Sequence, residues 1–235
     1  MDLSTSMKAV DFKPNRLEAA KVVAEDFIKG RTNDRIGLVV FAAESFTQCP
    51  LTLDYGVLTS FLERLDFGLI EDGTAIGMGL ATGVNRLKTS KAKSKVLILL
   101  TDGKNNAGVI DPITAAELAK TYQIKVYTIG VGTRGEAMYP VDDPIFGKRY
   151  VPQKVDIDED LLREVARITG GKYYRAIDEN KLKSIYDEIS SMEKTKVEVE
   201  NYMKYKELAW IFVLAGLFLL FIEMILNNTL FRKLP

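Results

Sequence analysis

Histidine is absent from this 235-residue sequence, and cysteine occurs once, at Cys49. Without histidine there can be no Ser-His-Asp triad, no histidine general base and none of the usual zinc sites. A single cysteine excludes an internal disulfide and any C-x-x-C redox or zinc motif. Cys49, beside Pro50, reads as a small packed residue and not as a nucleophile. An excess of charge of either sign is missing too: Lys plus Arg equals Asp plus Glu, at 32 each. No overall field would draw in nucleic acid, which is therefore not expected as a partner. Internal repeats and low-complexity segments are also missing.

What is present is an alternation of short apolar runs with amphipathic stretches, the pattern of βα units and a parallel sheet. Leu17, Ala20, Ala24, Phe27 and Ile28 recur at helical spacing and end at Gly30. Ile36 to Phe41 is continuously apolar, as a strand covered on both faces should be. Helical stripes follow at Leu58, Phe61, Leu62, Leu65 and at Ile76, Leu80, Val84, Leu87. Val96 to Leu100 reads as a strand. Ala115 to Tyr122, Val126 to Val131, Leu161 to Ile168 and Tyr173 to Ala176 continue the alternation, and Leu182, Ile185, Ile189 and Met192 close it with a helix. Tyr139 to Gln153, with three prolines, interrupts the pattern as an insertion loop or a small hairpin. Asp156, Asp158 and Asp160 lack the register of a calcium loop and read as charges at a helix N-terminus.

The chemistry lies in three separated pieces: Asp2-Leu3-Ser4-Thr5-Ser6, Asp72-Gly73-Thr74 and Thr101-Asp102-Gly103. Each offers side-chain oxygens on a loop, and none offers nitrogen or sulfur, which suits a hard dication such as Mg²⁺ or Mn²⁺. The i, i+2, i+4 spacing of Asp2, Ser4 and Ser6 lets a sharp turn aim alternate side chains at one point. Singly, Thr74 reads as a helix cap, Asp102 as a turn residue and the first run as a solvated turn. Jointly, in this order at strand–loop–helix junctions, they read as one metal site.

That constellation resembles the metal-ion-dependent adhesion site of the von Willebrand factor type A family, over residues 1–196. The runs Asp11-Phe12-Lys13-Pro14-Asn15-Arg16-Leu17, Asp34 to Phe41 and Asp72 to Gly77 are similar to the BatA/BatB-like bacterial aerotolerance membrane proteins. The resemblance implies an α/β, Rossmann-like, doubly wound and mostly parallel sheet flanked by helices. It implies Asp2, Ser4, Ser6, Thr74 and Asp102 as the ligands of Mg²⁺ or Mn²⁺, some of them through water. It also implies a non-enzymatic interaction module that grips an Asp or Glu carboxylate of a protein partner. Expected partners are other Bat proteins and, indirectly, a MoxR-type AAA+ ATPase in a stress or aerotolerance complex. Asp2 is expected on a loop rim, where Asp2→Ala would remove the metal and spare the fold. Two further readings stand beside this one: a metal-dependent hydrolase with Glu71 or Asp72 as base, and a structural domain that binds no metal.

Beyond a juxtamembrane linker at 197–207, residues 208–226 read LAWIFVLAGLFLLFIEMIL, about 29 Å as a helix and enough to cross a hydrocarbon core. Tyr205 and Trp210 fit an interfacial belt, and Arg232 and Lys233 fall in a short tail at 227–235. Glu223 reads as snorkelling to the far interface, or else as a polar contact with another membrane helix. Lys194, Lys196, Lys204 and Lys206 precede the segment, so a bare count of positive charges puts the domain inside the cell. Resemblance to the Bat proteins reverses this, with the domain outside the cytoplasm on the bacterial inner membrane. At the other end, Asp2 should terminate a central strand, yet only Met1 precedes it. The first central strand is therefore expected to be missing from an N-terminally truncated chain.

Overall fold

A computed structural model of the chain describes residues 1–143, 147–194 and 209–229. It divides into two compact units, Met1–Lys196 and Val197–Pro235.

In the first unit, β1 (Ile36–Phe41) pairs antiparallel with β2 (Ser45–Thr52). Three strands, β3 (Lys95–Thr101), β4 (Ile124–Val131) and β7 (Tyr173–Ala176), run parallel in the order β3-β4-β7. The first residues join the two groups. Asp2 forms a parallel bridge with Phe41, the Leu3 amide donates to Phe41 O, and the Asp2 amide donates to Leu100 O. The expected gap at the centre of the sheet is thus filled over Met1–Leu3, because these backbone groups find partners on β1 and β3 at once. The Met1 amino group extends the same pairing by donating to Val39 O at 2.8 Å.

Helices cover both faces. On one, Leu17, Ala20, Val23 and Ile28 of α1 (Arg16–Lys29) and Leu58 and Leu62 of α2 (Tyr55–Glu63) pack against Val40, Leu100, Ile129 and Val131, together with Leu182, Ile185 and Ile189 of a later helix, α6 (Glu179–Lys194). On the other, Ile76, Leu80 and Val84 of α3 (Ile76–Leu87) join Ala115, Ala116 and Ala119 of α4 (Pro112–Thr121) and Leu162 and Val165 of α5 (Glu159–Thr169). They pack on Phe41, Leu99, Ile124 and Val126, so neighbouring strand residues serve opposite cores, as strand pleating requires. Capping side chains start the helices: Asn15, Asp54, Asp111 and Asp158 accept from Glu18, Val57, Thr114 and Leu161 amides. Asp158 with Glu159 and Asp160 thus marks a helix start, as expected, while Asp156 pairs with Lys104.

Between β4 and α5 stands a separate antiparallel hairpin of β5 (Glu136–Asp143) and β6 (Gly147–Lys154), the second of the two expected forms of the interruption at Tyr139 to Gln153.

In the second unit, α7 spans Ala209–Thr229. The span expected at 208–226 is met as a helix; among the described residues no helix is long and apolar enough to cross a membrane. The expected linker at 197–207 lies outside the described residues, as does the tail beyond Thr229.

Candidate metal centre

The carboxyl ends of β1 and β3 and the short extended stretch Met1–Leu3 meet at one edge of the sheet, where ligands of open α/β sheets gather. Asp2 lies there with no exposure to solvent. Its Oδ1 accepts from the Ser4 amide at 2.9 Å, and its Oδ2 accepts from Thr101 Oγ1 at 2.5 Å. The loop-rim position expected of Asp2 is thus corrected: both oxygens are turned inward, holding the loop and the end of β3 together. A 3-10 turn at Thr5–Lys8 then brings Ser6 round beside Ser4, with the two Oγ atoms 2.9 Å apart. Ser6 Oγ donates to Asp102 Oδ1 at 2.5 Å. Asp2, Ser4, Ser6 and Asp102 therefore form one hydrogen-bonded cluster.

Thr74, just before α3, lies beside Gly103 and is not hydrogen-bonded to that cluster. Its amide donates to Asn106 Oδ1, and its carbonyl accepts from the Asn106 and Ala107 amides. Gly103 stands against it, since a Cβ there would lie 3.2 Å from Thr74 Oγ1. The junction is tight on its far side as well. A Cβ on Gly77, in the first turn of α3, would fall 1.9 Å from Ile110 O, so only glycine lets the helix start against this loop.

Burial dominates the electrostatics. It pushes the Asp102 carboxyl up, as does the nearby Asp2 charge, and together they outweigh Arg16 and Ser6 to bring it to about 7. Burial likewise raises Asp2, against the hydrogen bonds from Thr101 and Ser4. Two carboxylates brought together away from water disfavour each other's ionised form, and a cation between them would relieve that repulsion.

Arg16, Asp11 and Tyr139 were not read from the sequence as chemistry, and Asp72 takes a structural part. Arg16, buried in the first turn of α1, donates from Nη1 to Asp102 Oδ2 at 2.7 Å. Asp11 holds the rest of that guanidinium. Asp72 accepts from the Thr5 amide and Thr5 Oγ1 at 2.8 and 2.7 Å, stapling its loop to the serine turn. Tyr139 of β5 donates to Thr5 O at 2.6 Å and fixes the hairpin beside the site. The result is a cleft of about 180 Å³ with Ser6, Arg16 and Asp102 on one side and Tyr139, Gln153 and Lys154 on the other. The visible signal was the run Asp11 to Leu17, noted for its likeness to relatives and not for the charge it buries.

Among the described residues no three His, Cys, Asp or Glu side chains cluster as a metal site would need. A centre here depends on hydroxyls, with two carboxylates. That set suits a hard dication.

A sequence profile of the von Willebrand factor type A domain matches residues 1–188. The chain belongs to this family. An uncharacterized protein of Borreliella burgdorferi is 32% identical over 238 residues, covering 98% of this chain and 69% of that protein. The chain spans between 56% and 59% of the length of several other curated relatives. Among solved structures, the conserved hypothetical protein BatB of Bacteroides thetaiotaomicron superposes with a TM-score of 0.71 at 33% identity. The match covers 82% of this chain and 96% of that one. An aerotolerance-related membrane protein of Bacteroides fragilis gives 0.69 at 30% identity, covering 80% and 94%. The von Willebrand factor type A domain of this chain is therefore related to Bat-type proteins.

Proposed function

We propose that this chain is a membrane-anchored interaction module that docks an acidic side chain of a partner protein at a Mg²⁺ or Mn²⁺ centre. Ser4, Ser6, Thr74 and Asp102 would hold the ion, and Asp2 would act from behind as the acceptor that fixes the serine turn. When bound, such an ion supplies positive charge and an open coordination position for a carboxylate oxygen. The observation that carries the reading is the cluster Ser4–Ser6–Asp102, three oxygen-bearing side chains linked at 2.9 and 2.5 Å beside an open cleft. Tyr139, Gln153 and Lys154 line the opposite wall and would touch residues flanking the incoming carboxylate. Likeness to BatB and to an aerotolerance-related membrane protein supports a partner among Bat-type membrane proteins. The exposed apolar side chains of α7 between Phe212 and Met224, within the apolar run 208–226, support anchoring in a bacterial membrane.

The hydrolase reading loses one of its two candidate bases, Asp72. Asp72 uses both oxygens on Thr5. Burial raises its carboxyl, but the Thr5 hydroxyl and amide, the Gly73 amide and the Lys8 charge outweigh it and leave the group below its usual range. A carboxylate so held is a weak proton acceptor. Titration of the whole chain in detergent with Mg²⁺ and Mn²⁺ tests the proposal. Saturable one-to-one heat is expected, followed by capture of an acidic partner from membranes that EDTA abolishes. No heat with either ion would leave only a structural domain.

A further inference from the structure

Arg16 is a buried cation beside a proposed cation site. It is 3% exposed and fixed at three points. Nε and Nη2 donate to the two oxygens of Asp11 at 2.7 and 2.6 Å, and Nη1 donates to Asp102 Oδ2 at 2.7 Å. Asp11 is itself held by the Thr133 amide and Oγ1 at 2.9 and 3.1 Å. Gly132, at φ +139°, presses on the same guanidinium: a Cβ there would fall 2.8 Å from Nη2. A planar fork serves two carboxylates at once in this way, whereas a lysine ammonium is a point charge on a flexible stem.

We propose that Arg16 is a positioning residue that reserves one oxygen of Asp102 and thereby holds down the cation affinity of the centre. This rests on the metal reading above. Asp102 has two oxygens, and each has a separate neighbour: Oδ2 faces Arg16, and Oδ1 faces Ser6. Only Oδ1 lies on the side of the serine hydroxyls, so Asp102 can serve an ion there through one oxygen and never as a bidentate ligand. Arg16 and a bound dication would also share the same carboxylate charge. Each weakens the other's attraction for Asp102, and an ion less neutralised by its ligands attracts an incoming carboxylate more strongly. Removing Arg16 strands the buried Asp102 carboxylate in the ion-free protein and leaves the loaded protein with a partner for it. The ion should then bind more tightly.

The whole chain in detergent, titrated with Mg²⁺ by calorimetry and followed by thermal unfolding with and without Mg²⁺, tests this. For Arg16→Gln, Mg²⁺ should bind about tenfold more tightly, within the usual range of coupling between neighbouring sites. Its melting temperature should fall more without Mg²⁺ than with it. Asp11→Asn should do the opposite, weakening Mg²⁺ about threefold, because the guanidinium charge then falls wholly on Asp102. Arg16→Gln binding Mg²⁺ no better than the wild type overturns the inference alone. Equal loss of melting temperature with and without Mg²⁺ does the same, since a purely structural arginine behaves that way. If Arg16→Gln fails to fold, Asp11→Asn decides, and unchanged Mg²⁺ affinity there overturns the inference. A wild type that binds neither Mg²⁺ nor Mn²⁺ overturns the metal reading itself.

Discussion

Asp2 and Ser6 stand four residues apart in one motif yet carry different loads. Asp2 is fully buried and satisfies two donors, the Ser4 amide and the Thr101 hydroxyl. Asp2→Ala leaves both unpaired, which costs about 1–3 kcal/mol for a buried donor. Ser6 bridges Ser4 and Asp102 at the open side of the cluster. Ser6→Ala removes hydrogen bonds worth about 0.5–1.5 kcal/mol each and buries nothing unsatisfied in the backbone. Both substitutions are expected to weaken Mg²⁺, by about 10–100-fold for a residue that orients the ligands. Only Asp2→Ala should also lower the melting temperature clearly. Calorimetric titration beside a thermal melt checks the split, and equal melting temperatures for the two variants would contradict it. The order of the oxygen-bearing runs is a local fact of the sequence, and the structure adds that Asp2, Ser4, Ser6 and Asp102 share one hydrogen-bonded cluster. The part of Arg16 was not legible there, because an arginine in the first turn of a helix looks like a solvated charge until Asp11, Asp102 and Gly132 close around it.

Among the elements, those with continuous apolar runs or clean helical stripes fell where periodicity put them: β1 at Ile36–Phe41, α3 at Ile76–Leu87 and β7 at Tyr173–Ala176. β2, reading SFTQCPLT, gave no such signal. It pairs only with β1 among the described strands, and its register shifts near Pro50, where a missing amide and a bulge are tolerated. α6 shows what periodicity alone leaves out. Its stripe predicts the packing of Leu182, Ile185 and Ile189, but its end is fixed by polar chemistry at the edge of the sheet opposite the metal centre. Glu193, 8% exposed, accepts from Ser94 Oγ at 2.9 Å, Lys125 Nζ at 2.9 Å and Tyr127 OH at 2.7 Å. Burial raises its carboxyl, but those three donors outweigh burial and hold it below the usual 4.5. A carboxylate lowered in the folded state stabilises it above the unfolded value, and this is lost as pH falls through the folded one. Glu193→Gln should therefore melt lower than the wild type at pH 7. The difference should shrink as the pH drops from 5 to 3. A constant difference across that window, measured by thermal unfolding, would show that the charge contributes nothing.

At the scale of the molecule, all the residues proposed to hold the ion lie in the compact unit Met1–Lys196, and the longest apolar run lies in the other. Formal charge sums to zero over the chain, so the chain as a whole gains no net attraction to an anionic membrane surface. The proposed anchoring would rest on apolar burial. In α7 the side chains from Phe212 to Leu214 and Leu217 to Ile222 are exposed, so apolar surface recurs over the described turns. A surface-lying amphipathic helix would show a polar face as well. The two attachments differ in chemistry: alkaline carbonate strips a protein held by charge and leaves one held by a helix in hydrocarbon. The whole chain, expressed in a bacterium, is expected in the membrane pellet after carbonate extraction. A chain ending at Lys196 is expected in the supernatant with unchanged Mg²⁺ affinity. Release of the whole chain by carbonate would refute anchoring through 208–226, whereas loss of Mg²⁺ binding on truncation would show that the centre depends on residues beyond 196.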